Sequence, residues 1–187
     1  LIIAISSPIK EVDIKQSKGE GIDIILSLDS SGSMEQRGFN RYNPRQTRWD
    51  TVALIVKEFI KKRPYDNIGL IVFGDNVMIA SPLSYDKTMQ SKIIDRLKIG
   101  IVGKQTALID SIAMSVDVLS QRKTKSKVII ALSDGEDTAS KIPLNVVQKL
   151  LKKYDITLYT IGIGNPSIQT MQSLSTYHKG DTFIANS

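Results

Sequence analysis

The chain reads as a doubly wound α/β domain: an open sheet, mostly parallel with one antiparallel edge strand, covered by helices on both faces. Three observations predict this. Short, almost wholly apolar runs alternate with longer segments of helical period along the 187 residues. The apolar runs lack the polar alternation of a half-exposed sheet, so both of their faces need cover. Two of the runs end on an aspartate, Asp29 and Asp134, and the carboxyl edge of such a sheet is where ligands sit.

The elements follow in order. Residues 22–29 (IDIILSLD) predict the first strand. Residues 48–62 predict a helix with Trp49, Val52, Leu54, Ile55, Val56, Phe59 and Ile60 largely on one side. Residues 67–74 (NIGLIVFG) are a second strand, and 76–83 (NVMIASPL) return after a tight turn at Gly74, Asp75 and Asn76. Pro82 lacks a ladder donor, which suits an edge, and the tight turn makes the return antiparallel. Residues 85–97 give a weaker helical pattern. Residues 107–121 repeat Leu108, Ile112, Ser115, Val116 and Leu119 at helical spacing. A strand at 127–134 (KVIIALSD) and a helix at 143–154, with Pro143 in its first turn, come next. A strand at 156–164, a short helix at 167–177 and a last parallel strand at 181–187 complete the set. There is no internal repeat.

Composition excludes several classes of function. Apolar residues make up 41% and charged residues 24%, ordinary for a globular domain. With no cysteine, neither disulfides nor thiolate metal sites can form. The single histidine, His178, rules out any site with two imidazoles; no partner is evident near it in sequence, and it is expected to face solvent. A net charge of +6 without clustered stacking aromatics argues against nucleic acid as a partner. The opening LIIAI is too short to cross a bilayer, which takes about 20 apolar residues; it reads as a buried strand, an exposed end, or the tail of a membrane helix. The longest irregular piece, residues 35–47, carries several arginines and is either a solvated insertion or a partner contact.

The candidate site lies where strands end. Asp29 closes the first strand, and Ser31 and Ser33 follow at alternate positions. Thr106 closes the loop IGIVGKQT ahead of a helix, and Asp134 closes the strand KVIIALSD. Two carboxylates and three hydroxyls converge if the sheet is built as predicted. Oxygen donors without sulfur or imidazole suit Mg²⁺, Ca²⁺ or Mn²⁺. Gly32 is expected to let the chain bend so that both serines aim at one point. Each residue also has a local reading: turn hydrogen bonds for Asp29 and the serines, a helix cap for Thr106, an ordinary turn pair for Asp134-Gly135.

Rival chemistries fit less well. A Mg²⁺-dependent phosphatase with an aspartyl nucleophile needs a second carboxylate two residues on, where Ser31 stands, and Lys104 is the nearest candidate base. An EF-hand loop starting at Asp29 fails at its twelfth position, Asn40. GIGNPS at 162–167 lacks the third glycine of a dinucleotide fingerprint, and no phosphate-cradling loop occurs.

DSSGSM at 29–34, with Thr106 in GKQTALIDS and Asp134 in LSDGEDT, resembles the von Willebrand factor type A domain over residues 20–185. That resemblance implies a Rossmann-like fold with a metal-ion-dependent adhesion site (MIDAS). Its ligands would be Asp29, Ser31, Ser33, Thr106 and Asp134. Mg²⁺ would bind there, with the hydroxyls coordinating directly, at least one aspartate acting through water, and a partner's Asp or Glu filling an open position. RWDTVALIVKEFIKKRPYDNIGLIVFG, ASPL and YTIGIG are similar to the bacterial Bat (aerotolerance) group of membrane-anchored A domains. The group implies a membrane helix ahead of this stretch, residues 1–20 as a lead-in, and an A domain over 21–187 without its usual last helix. It also implies an inner-membrane protein facing the periplasm, with MoxR-type AAA+ ATPases and other A-domain proteins as partners, and no enzymatic activity. A scaffold whose metal serves stability alone is the alternative.

Overall fold

The computed structural model describes residues 21–164, 166 and 168–185. The expectations about residues 1–20, and about a helix beyond the last strand, lie outside them. Among the described residues six strands form one sheet: β1 (Asp23–Asp29), β2 (Asn67–Phe73), β3 (Val77–Ser84), β4 (Lys127–Ser133), β5 (Thr157–Ile163) and β6 (Gly180–Ala185), in the order β3-β2-β1-β4-β5-β6. All neighbours pair in parallel except β2 and β3. The sheet is therefore the one predicted, with β3 as the antiparallel edge.

Among the described residues five α-helices cover it: α1 (Arg48–Lys61), α2 (Lys87–Arg96), α3 (Leu108–Ser120), α4 (Leu144–Lys153) and α5 (Ile168–Ser175). One face of β1 sends Ile24, Leu26 and Leu28 into a core with Trp49, Val52, Val56 and Ile60 of α1 and Ile94 of α2. The other sends Ile25 into a second core with Leu108, Ile112 and Val116 of α3, Val147 and Leu151 of α4 and Met171 of α5. Successive strand residues alternate between the two cores, so both faces had to be apolar.

Two readings of the sequence need correction. Leu54 and Ile55 are 49% and 43% exposed. At 3.6 residues per turn the buried stripe of α1 is Trp49, Val52, Val56 and Ile60, and residues 54 and 55 fall off it. Leu54 lines an open groove of about 440 Å³ between α1 and α2, with Trp49, Ala53 and Ile94. His178 does not face solvent freely: its side chain is 18% exposed and its Nε2 lies 2.8 Å from Asp155 Oδ1. Lys179, first, and His178 hold the Asp155 carboxyl below its ordinary range.

The order of strands positions the site. β1 is central, and the chain leaves it toward β2 on one side and reaches β4 on the other. The register sets Leu28 level with Leu132 and Asp29 level with Phe73, so the carboxyl ends of β1 and β4 stop side by side. This is the switch point of an open α/β sheet, where the loops diverge and leave a crevice.

Candidate metal centre

The turn after β1 is fixed from several sides. Ser30 N–H and Oγ both donate to Phe73 O, at 2.8 and 3.0 Å, which extends the β1–β2 pairing by one residue. Ser31 is extended (φ −64°, ψ 168°), and its N–H donates to Asp29 Oδ1 at 2.8 Å. A 3-10 turn, Gly32–Glu35, follows, and the fully buried Met34 plugs it into the α1-side core. Gly32 does not serve as expected. Its φ is not positive, and a Cβ there would sit 3.6 Å from Lys104 O, an ordinary contact. The bend comes from the extended Ser31 running into the 3-10 turn and from the anchor of Met34.

Thr106 arrives on a loop clamped at both ends. Ala107 N–H donates to Gly74 O at 2.8 Å, and Gln105 N–H donates to Asp75 Oδ1 at 2.5 Å. A Cβ on Gly74 would fall 2.4 Å from Gly103 O, so only glycine lets the two loops approach this closely. On the other side Thr106 O accepts from Thr138 N–H (2.8 Å) and Ala139 N–H (3.1 Å). Thr106 is not the cap of α3. That position is Ala107, without a side-chain cap bond, and the free N–H groups of the helix start are met by Asp137 (to Ile109, 3.2 Å) and Ser140 (to Asp110, 3.1 Å).

Four of the five predicted residues, Asp29, Ser31, Ser33 and Asp134, are joined by hydrogen bonds. Ser31 Oγ and Ser33 Oγ are 2.9 Å apart, and Ser33 Oγ donates to Asp134 Oδ1 at 2.5 Å. Thr106 Oγ1 and Ser33 Oγ lie 3.3 and 3.9 Å from the point a Cβ on Gly135 would occupy, so Thr106 stands beside the cluster across Gly135. Asp29, Ser31, Thr106 and Asp134 are all buried. Burial pushes the Asp29 carboxyl up to about 6, with the neighbouring Asp134 adding to the rise; hydrogen bonds from Ser133 and Ser31 oppose it.

Three participants were missed in the sequence. Ser133 Oγ donates to Asp29 Oδ2 at 2.5 Å; its place level with Asp29 follows from the parallel register of β1 and β4. Met34 could have been found as the one apolar residue in DSSGSM. Arg48, at the start of α1, donates from Nη1 to Asp134 Oδ2 at 2.6 Å, and no local signal marks it.

The donor set can be weighed against a divalent ion. When ionised, buried Asp134 is paired with the Arg48 guanidinium, while buried Asp29 has hydrogen bonds but no ion pair among the described residues, which leaves one negative charge uncompensated. Every remaining donor is a hydroxyl. Among the described residues no group of three or more His, Cys, Asp or Glu could hold an ion, so a metal here would rest on two carboxylates and hydroxyls, a set that suits a hard cation. The residues fit Mg²⁺, Ca²⁺ or Mn²⁺.

A family model for the von Willebrand factor type A domain matches residues 24–136, and the chain belongs to that family. Over 145 residues it is 30% identical to an uncharacterized protein of Borreliella burgdorferi, a match covering 78% of this chain and 41% of the other. The chain thus spans well under half of that relative. An aerotolerance-related membrane protein from Bacteroides fragilis superposes with a TM-score of 0.77 at 14% identity, over 89% of this chain and 92% of that one. Proximal thread matrix protein 1 from the mussel byssus, with a zinc-occupied MIDAS motif, gives 0.70 at 19% identity, over 89% and 42%. At such identities these two likenesses are of fold.

Proposed function

We propose that the domain binds a divalent cation, Mg²⁺ in the first instance, through Asp29, Ser31, Ser33, Thr106 and Asp134, and through it an acidic side chain of a protein partner. The observation that carries this is the unbroken contact chain Asp29–Ser31–Ser33–Asp134 at the switch point, with Thr106 Oγ1 and Ser33 Oγ both beside Gly135. The mussel protein's zinc-occupied MIDAS is a precedent on the same fold. Hydroxyl ligands do not quench a cation's charge, so the bound ion would supply a Lewis-acidic position for one more anionic oxygen. Ser31, Ser33 and Thr106 would hold it, and Asp29 and Asp134 would balance its charge. Ser31 stands where an aspartyl phosphatase needs its acid/base, which favours binding over catalysis.

The surroundings favour an acidic partner. Between Glu35 and Asp50 the chain carries Arg37, Arg41, Arg45 and Arg48 and no carboxylate. The loop that bears them is knitted: Arg37 and Thr47 form a β-bridge, and Asn40 bonds Gln46 at 2.9 Å and accepts from Tyr42 N–H at 3.0 Å. Tyr42 is 89% exposed at its tip. Tyrosine and arginine are the side chains interfaces favour as anchors. The aerotolerance-related membrane protein among the fold relatives supports a membrane-anchored, Bat-type setting, in which a MoxR-type AAA+ ATPase, another A-domain protein and a periplasmic location are further parts of the proposal. Among the described residues no helix is long and apolar enough to cross a membrane.

The test is capture of partners from bacterial membranes with Mg²⁺ or with EDTA, repeated with Ser31→Ala and Asp134→Ala. Partners that bind only with Mg²⁺, and only to the wild-type domain, are expected. The same partners under every condition would remove the adhesion reading; chelation that lowers the melting temperature but spares capture would assign the ion to stability alone.

A further inference from the structure

Arg48 is built into the site from three directions. A capping box at the start of α1, Asp50 N–H to Thr47 Oγ1 (3.1 Å) and Thr47 N–H to Asp50 Oδ2 (2.9 Å), fixes the backbone that carries it. Its own N–H donates to Gln36 O at 2.8 Å, which ties it to the turn after β1. Its Nη1 lies 2.6 Å from Asp134 Oδ2, with the arginine side chain 17% exposed and the aspartate side chain 0%. At the end of β5, Gly164 has φ +75°, and a Cβ there would fall 2.7 Å from Arg48 Nη2 and 3.1 Å from Cζ. The guanidinium thus passes directly against the Gly164 backbone at the end of β5.

We infer that Arg48 is a resident cation of the site, a positioning and affinity-setting residue for the ion. It holds Asp134 in place, and its permanent charge occupies half of the anionic charge that Asp29 and Asp134 offer. This rests on reading those aspartates as ion ligands. With Arg48 in place, a divalent ion meets a site of net charge −1 instead of −2, and binds weakly by itself. The loaded site then carries net positive charge, which favours an incoming carboxylate. Arg48 therefore moves binding strength from the ion alone to the ion and the partner's acid together, and by linkage each raises the other's affinity.

Isothermal titration of the protein with Mn²⁺ alone, paired with melting in EDTA, tests this. Arg48→Met should bind Mn²⁺ on the order of tenfold more tightly than wild type, the size expected for removing a unit charge a few ångströms from a divalent ion. It should at the same time melt lower in EDTA, because Asp134 loses its partner. Arg48→Lys, which keeps the charge, should bind Mn²⁺ within about threefold of wild type on the same Coulomb argument. A purely structural arginine would lower melting and ion affinity together. Mn²⁺ binding by Arg48→Met that equals or falls below wild type overturns the inference and leaves the ion site standing. No Mn²⁺ binding by either protein removes the ion site itself, and the inference with it. Should Arg48→Met fail to fold, Arg48→Gln, which keeps a donor toward Asp134 without the charge, puts the same opposite-sign expectation at risk.

Discussion

Asp29 is the residue on which the site's electrostatics turn. Its carboxyl, ordinarily near 3.8, is raised to about 6 by burial. The native state therefore holds the proton more tightly than the unfolded chain does. The stabilisation this brings is complete below about pH 3.8 and is lost as pH rises through about 6. Above that, the metal-free fold carries a buried, poorly compensated charge worth about 3 kcal/mol for a shift of this size. In EDTA, Asp29→Asn should therefore match wild type near pH 4 and exceed it in unfolding free energy by up to about 3 kcal/mol at pH 7.5. Denaturant titrations across that range would check it, and parallel pH profiles for the two proteins would contradict it. Saturating Mg²⁺ should stabilise wild type and leave Asp29→Asn unmoved. The five oxygen-bearing residues were legible because strand-ending aspartates and hydroxyls stand out against apolar runs. Arg48 was not, because it sits 86 residues from Asp134 and reaches it only through the way residues 35–47 fold back. Gly32 was misread for a different reason: glycine in a turn suggests a left-handed conformation, and a 3-10 turn does not require one.

At the scale of elements, α1 connects core packing to the site. Its buried stripe closes one core, while its first turn delivers Arg48. Ile60→Ala should cost about 2–5 kcal/mol, as deletion of a fully buried side chain does, whereas Leu54→Ala should stay within about 0.5 kcal/mol; equal losses for the two in urea melts would contradict the packing described. Thr47→Ala removes half of the capping box and should cost about 1 kcal/mol. It should also loosen the backbone that aims Arg48, so its Mn²⁺ affinity should shift toward that of Arg48→Met. Element type and order were readable because strand and helix periods differ and turn residues punctuate them. Which apolar residues of α1 face inward was not, because Trp49, Val52, Leu54, Ile55, Val56, Phe59 and Ile60 are more than one stripe can bury, and only the tilt of the helix on the sheet decides between them.

For the whole molecule, one topological fact organises the rest. β1 lies at the centre with its neighbours leaving in opposite directions, and three loops from β1, from the approach to α3 and from β4 have to meet at its carboxyl end. Short apolar strands that can only be buried on both faces made that sheet inferable, and the sheet made the convergence inferable. The exactness of the meeting, set by Met34, Gly74 against Gly103, and Asp137 on the start of α3, belongs to tertiary contacts between distant loops and has no local signature. The most direct measurement is anomalous diffraction from crystals of the domain grown with Mn²⁺. One strong peak is expected among Ser31 Oγ, Ser33 Oγ and Thr106 Oγ1, with Asp29 and Asp134 beside it. A peak elsewhere, or none at a Mn²⁺ concentration that saturates binding in solution, would contradict the proposed gathering of these oxygens around one ion.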